Sequence, residues 1–267
     1  PRTFPTPLTP GENEYAFDAW LKIAADGVIT VAVPQLEMGQ GVSTLLPQII
    51  AQELGADWRQ IAVEPAPISG AYANIPLAAK WSALWMPTLS DWAGQPDDLL
   101  AERYAQLTRF SATADGTVLA AYEMPCRMAA ASARGMLAEE AADQWDIPVE
   151  ECRAAGGFIF HDDKRMSFAE LAAGAAERDP PDPAPLKSEP PSEKPIAGEA
   201  DAPTAFPRLD LPSKVDGSHL FAGDVRLPDM VYAAIKHGPF EQAELTDFDA
   251  SQVSRNARVV GVVKGKR

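Results

Sequence analysis

With 267 residues, 46% of them hydrophobic, the chain has room for one large domain or two smaller ones with real cores. Its 38 acidic residues outnumber 23 Lys and Arg, and the net charge of −15 argues against nucleic acid or an anionic membrane surface as a partner. Cys126 and Cys152 are too few to hold an iron–sulfur cluster, which needs four ligands, and read as buried thiols.

No apolar run approaches the length of a transmembrane helix, and no signal peptide is recognisable. Residues 1–18, with prolines at 1, 5, 7 and 10, read as an extended leader. Trp20-Leu21-Lys22-Ile23 and Val28-Ile29-Thr30-Val31-Ala32-Val33 flank Ala25-Asp26-Gly27, which predicts a β-hairpin. Glu37-Met38-Gly39-Gln40-Gly41 comes next. Val42, Leu45, Leu46, Ile49, Ile50 and Leu54 then recur at helical spacing up to Gly55, a C-cap candidate. Gly39, Gln40 and Gly41 are thereby placed at a helix N-terminus, where unpaired N–H groups and the macrodipole favour an anion. Two glycines let a ligand approach the backbone, and the Gln40 amide can donate and accept. Such a turn suits a phosphate or a heterocycle with polar edges, and it serves equally as a tight connection with no ligand.

Ile61-Ala62-Val63-Glu64-Pro65 predicts a short strand. Trp81, Trp85, Met86, Pro87 and Trp92 crowd one stretch, a composition that favours packing or subunit contact over substrate lining. Residues 99–107 turn helical. Thr113-Ala114-Asp115-Gly116-Thr117 precedes a long Ala-rich helix predicted over about residues 120–145, with Pro125 near its start and Asp115 an N-cap candidate. His161-Asp162-Asp163-Lys164 reads as a turn, because three adjacent side chains rarely converge on one ion. Ser167 and Glu170 have capping-box spacing.

Residues 179–206 are rich in Pro and acidic groups and predict a semi-rigid spacer, with an SH3-type ligand as the other reading. Beyond it, residues 220–223, 230–235 and 259–263 read as strands and 250–256 as a short helix. A sheet broken off near Arg267 would need a partner for its edge.

The Glu-Met-Gly-Gln-Gly-Val-Ser-Thr run, with Trp-Leu-Lys-Ile before it and Gln-Glu-Leu-Gly-Ala-Asp-Trp after it, resembles the molybdopterin-contacting segment of the xanthine dehydrogenase and aldehyde oxidase family. Pro207-Arg208-Leu209-Asp210, Lys214-Val215-Asp216-Gly217 and Asp224-Val225-Arg226-Leu227-Pro228 resemble the opening of that family's α/β hammerhead domain. The order, hammerhead after the Met-Gly-Gln-Gly segment, is similar to that of the family's permuted branch, the isoquinoline 1-oxidoreductase β-subunit type. The resemblance implies an α+β fold: a leader over 1–18, a molybdopterin-binding segment over 19–178, a linker over 179–206 and an incomplete hammerhead over 207–267. It implies a molybdopterin-type molybdenum cofactor, a cytosine dinucleotide form among the options, touched by Gly39, Gln40, Gly41 and by a second loop at Ala114, Asp115, Gly116 and Thr117.

That second loop departs from the branch's Thr-Gly-Gly-Ser-Thr-Ser pattern, and Asp115 would set a carboxylate near an anionic cofactor. The implied activity is hydroxylation of aldehydes or N-heterocycles with oxygen from water, using a glutamate base and iron–sulfur centres on a partner subunit. These 267 residues contain no Gly-Glu-Pro-type base motif, so this chain alone is expected to be inactive. The implied partners are the remainder of the catalytic subunit, a small 2Fe–2S subunit and the substrate, in a periplasmic or membrane-associated setting rather than a cytoplasmic one. The alternative is a degenerate accessory subunit of the same fold serving assembly.

Overall fold

The computed structural model describes residues 7–94, 99–188, 206–236, 246–251 and 258–263. These residues form an α+β structure that divides into two units, Pro1–Pro212 and Ser213–Arg267. In the first unit, β1 (Glu14–Phe17), β2 (Leu21–Ala24), β3 (Ile29–Val33) and β4 (Ile61–Pro65) make one sheet in that order. β1, β2 and β3 are antiparallel neighbours, and the expected hairpin forms with Leu21 opposite Val31. β4 lies parallel to β3, which requires a crossover. That crossover is α1 (Val42–Leu54), which ends at Gly55 as predicted and buries Leu46, Ile50 and Leu54.

The leader is shorter than the sequence suggested. Residues 14–17 are a sheet strand, with Phe17 buried, and Leu8 is buried before it. Glu14 and Glu64 both pair with the buried Lys22, at 3.2 and 3.0 Å, which ties β1 and β4 to β2. The prolines upstream obscured a strand of only four residues.

α2 (Ile75–Lys80), α3 (Ser82–Trp85), α4 (Ser90–Ala93) and α5 (Leu99–Thr108) form a helical annex. Its tryptophans do not act as one cluster. Trp85 stacks on Tyr104 at 4.1 Å and Trp81 meets Phe110 edge-on, while Trp92 is exposed. α6 (Val118–Trp145) starts two residues earlier than expected and continues through Pro125. It packs on α1, where Tyr122, Cys126, Ala130 and Leu137 are buried. A second antiparallel sheet, β5 (Arg153–Ala155), β6 (Phe158–His161) and β7 (Lys164–Ser167), turns at 161–164 as predicted. No metal-ligating cluster occurs among the described residues. α7 (Phe168–Ala175) follows, with both arms of the Ser167–Glu170 capping box formed.

The proline-rich stretch is not simply a spacer. Its described part, residues 179–188, is strapped to α1 and α6. Lys187 N–H donates to Glu53 Oε1 (2.7 Å), the Arg127 guanidinium to the Lys187 carbonyl (3.0 Å), and Arg134 to the Pro185 carbonyl. An extended chain of this type leaves its carbonyls unpaired, and two arginines on α6 collect them. Residues 189–205 lie outside the described residues.

Past Pro212 the expected strands at 220–223, 230–235 and 259–263 do not form among the described residues. α8 (Leu211–Asp216) and one tight helical turn at Ala222–Asp224 are the regular pieces. Leu220, Val231, Tyr232, Ile235, Val260 and Val263 are exposed. The apolar pattern is that of strands, but among the described residues no neighbouring strand completes the ladder. The helix expected over 250–256 falls mostly outside the described residues.

Candidate functional site

A parallel β–α–β unit opens its carboxyl end to a ligand, because the helix starts there and the strand backbones end there. The loop from Pro34 to Gly41 occupies that position, between the end of β3 and the start of α1. Sequence alone did not show what joins it to the second loop. Gln35, 6% exposed, donates through Nε2 to the carbonyls of Ser111 (3.0 Å) and Ala112 (3.3 Å) and to the Tyr122 hydroxyl (3.1 Å). Leu36 N–H donates to Thr113 Oγ1 at 2.9 Å. Two segments some 75 residues apart thus form one rim. The signal for Gln35 was faint: a single amide closing an apolar strand. Its Oε1 is buried with no partner among the described residues.

The helix N-terminus differs from the expectation of an open anion site. The chain's own Glu37 fills it. Oε1 accepts from the N–H groups of Gly39 (2.8 Å) and Gly41 (3.0 Å), and Oε2 from Ser43 N–H (3.1 Å) and Ser43 Oγ (2.8 Å). Burial alone would raise this carboxyl's pKa, but the Gly41 and Ser43 donors outweigh it and hold it below the usual range. Gln40 also turns inward, accepting from Met38 N–H at 2.6 Å and donating to the Leu36 carbonyl at 2.7 Å. One lone pair and one N–H of that amide keep capacity for a further bond.

What the rim presents outward is backbone and apolar surface. Gly39 (φ 100) and Gly116 (φ 66) would each point a Cβ into open space, and Gly41 (φ 87) would meet only the Arg208 guanidinium, at 3.9 Å. Leu36 and Met38 are 67% and 62% exposed. Such a face fits a flat heterocycle read by peptide groups.

In the second loop, Ala114, Asp115, Gly116 and Thr117 lead into α6. Asp115 is not the N-cap. It sits at φ 57, with its carboxylate on Lys80 Nζ (3.1 Å) and Trp81 Nε1 (3.0 Å), which hold its pKa below the usual range. Its charge is therefore answered on the annex side. Thr117 is the N-cap residue and donates from Oγ1 to the Ala114 carbonyl at 3.0 Å.

Asn74, fully buried, caps α2 through Leu77 N–H and donates to the Ala112 carbonyl (3.0 Å) and Thr117 Oγ1 (2.9 Å). Asn74→Ala is expected to cost about 2 kcal/mol, from one lost cap and the lost bonds to the Ala112 carbonyl and Thr117 Oγ1, read as a shifted denaturant midpoint. Amide exchange should rise first in residues 111–118.

The family model for the molybdopterin cofactor-binding domain matches residues 3–79, the segment that carries β1 to β4, α1 and the Gly39–Gly41 turn. This match and the relatives that follow support a place in the molybdenum hydroxylase family. Among similar proteins, the beta subunit of isoquinoline 1-oxidoreductase from Brevundimonas diminuta is 29% identical over 86% of this chain and 29% of its own length. A nicotinate dehydrogenase subunit from Pseudomonas putida is 25% identical over 96% of this chain and 19% of its own length. A membrane-bound aldehyde dehydrogenase of Gluconacetobacter polyoxogenes, named for pyrroloquinoline-quinone, is 26% identical over 86% of this chain and 25% of its own. The chain thus spans less than a third of the length of each of these relatives. The matched domain contains Gly39, Gln40 and Gly41, while Ala114 to Thr117 lie beyond it; Gln35 and Leu36 bond to the residues just before them, Ser111 and Thr113, and Asn74 to Thr117.

Proposed function

We propose that this chain is part of the molybdenum-cofactor-binding subunit of an oxidoreductase that hydroxylates aldehydes or N-heterocyclic aromatics with water-derived oxygen. The observation that carries the reading is the joined rim. Gln35 and Leu36, in the loop that leads to the Gly39–Gly41 turn, bond to Ser111, Ala112 and Thr113, the residues just before Ala114–Thr117, and backbone is open at Gly39 and Gly116. Those peptide groups, with the remaining capacity of Gln40, would hold the edges of the pterin. Leu36 and Met38 would cover its face and exclude water. The molybdenum, when bound, accepts the electron pair released by the substrate. These residues supply orientation and a dry wall, and none of them is in place to move a proton.

The general base and the other wall would come from the remainder of the catalytic subunit, and a small 2Fe–2S subunit would take the electrons. No helix among the described residues is long and apolar enough to cross a membrane. A periplasmic or membrane-associated setting is the proposed one, in keeping with the membrane-bound aldehyde dehydrogenase relative.

The test is elemental and organic analysis of the enzyme assembled from the full subunit and its partners. About one molybdenum per catalytic subunit, with pterin phosphate, is the expected result. A stoichiometric quinone with no molybdenum would move the chain toward the chemistry named for its aldehyde dehydrogenase relative. Neither group would favour the accessory-subunit alternative.

A further inference from the structure

One cation reaches the cofactor turn from far along the chain. Arg208, 169 residues after Gly39, donates from Nη1 to the Gly39 carbonyl at 3.2 Å and places Nη2 3.6 Å from Glu37 Oε1. Its own orientation is fixed by Asp210, which accepts from Nε at 2.9 Å and from Nη2 at 2.8 Å, a two-pronged grip on a planar group. The next residue, Leu209, donates its N–H to Thr44 Oγ1 in the first turn of α1 at 3.0 Å and packs on the core. The Arg208–Asp210 segment therefore sits on both ends of the turn.

Two functions would fit an arginine beside a cofactor turn: binding the cofactor's phosphate, or holding the turn. The charges decide. Glu37, Arg208 and Asp210 together sum to −1, and each carboxylate already faces the guanidinium. A phosphate arriving here would meet net repulsion and compete with two carboxylates. The turn, by contrast, needs holding. Gly39 and Gly41 both have left-handed φ, and no strand pairs with them. Their N–H groups bond to Glu37, and among the described residues the cation paired with Glu37 is Arg208, at 3.6 Å.

We propose that Arg208 is a positioning residue for the molybdopterin-contacting turn, acting through the Gly39 carbonyl and Glu37 rather than on the cofactor. The inference deepens the function proposed above and rests on it. Arg208 makes the geometry of the Gly39–Gly41 turn conditional on the docking of a segment that follows the proline-rich stretch.

The experiment compares wild type, Arg208→Gln, Arg208→Lys and Asp210→Asn in the full subunit with its partners. Amide hydrogen exchange over residues 37–45 is read without cofactor, beside molybdenum per protein and a thermal melt. Arg208→Gln should raise exchange at 37–45 by tenfold or more and lower molybdenum content several-fold, with exchange in β2 and β3 unchanged. Arg208→Lys should recover part of both, since an ammonium can reach one acceptor but cannot bridge Asp210 and Gly39 as a fork. Asp210→Asn should fall between wild type and Arg208→Gln. Unchanged exchange at 37–45 in Arg208→Gln overturns the positioning role. Raised exchange with full molybdenum content also overturns it, since the tie would then be structural alone. A wild-type enzyme without molybdenum has a separate signature: it overturns the cofactor reading itself, and with it the cofactor role given to the turn.

Discussion

Glu53→Ala is expected to lower the unfolding free energy by about 3–5 kcal/mol, the largest stability loss of any single polar change here. Glu53 lies on the buried side of α1 and is fully inaccessible. Its Oε2 accepts from Arg127 Nε at 3.0 Å, and its Oε1 from Arg134 Nη1 at 3.0 Å and from Lys187 N–H at 2.7 Å. Alanine would leave two nearly buried guanidinium groups without an anion and would release the strap at residues 185–187. Burial by itself would raise the Glu53 pKa, but the Lys187, Arg134 and Arg127 donors outweigh it, and the folded value lies below the ordinary one of 4.5. A depressed carboxyl pKa contributes stability that is complete above the unfolded value and disappears as pH falls through the folded value. The gap between wild type and Glu53→Gln should therefore be widest at neutral pH, begin to narrow as pH falls below about 4.5, and close only below the folded value. Urea titrations across that range check it. A gap that stayed constant down to pH 3 would mean the carboxylate charge is not what the arginines answer.

That ion cluster also shows what the sequence could and could not display. The hairpin, α1 and its Gly55 stop, β4 and the Ser167 capping box follow from local rules, namely period-two and period-3.6 patterns with known end signals, and all of them form. The Gly39–Gly41 turn was legible for the same reason. Glu53 was not, because it looks like an ordinary solvent-facing glutamate near a helix end until α6 and the strap close over it. Glu37 misled in the opposite direction. Local rules correctly placed unpaired N–H groups at the start of α1, but a carboxylate four residues before Gly41 satisfies them first. The strands expected past Pro212 have the right side chains and still do not form among the described residues. Strand pattern records which face would be buried, and pairing requires a neighbour that pattern alone cannot supply.

The second large effect concerns a residue whose replacement meets no protein atom at all. Gly39 has φ 100, and a Cβ there would find nothing within 4 Å. Gly39→Ala therefore carries backbone strain alone, about 1–3 kcal/mol, in an exposed turn that can relax by loosening its bonds to Glu37. If the pterin lies against this peptide, the same methyl group stands between them, and molybdenum content of the assembled enzyme should fall tenfold or more while the melting temperature drops by only a few degrees. Gly55→Ala is the matching control. It also has a left-handed φ, of 82°, and there a Cβ would come within 2.9 Å of the Ala154 carbonyl oxygen, so it should cost at least as much stability. It lies at the other end of α1, away from the rim, so at a temperature where the protein stays folded its molybdenum content should match wild type. The contrast separates a ligand contact from a fold defect. Full molybdenum in Gly39→Ala would remove the peptide of Gly39 from the cofactor's surroundings. Equal losses of molybdenum in both variants would show that occupancy follows stability, and that the turn is a connection between β3 and α1 and nothing more.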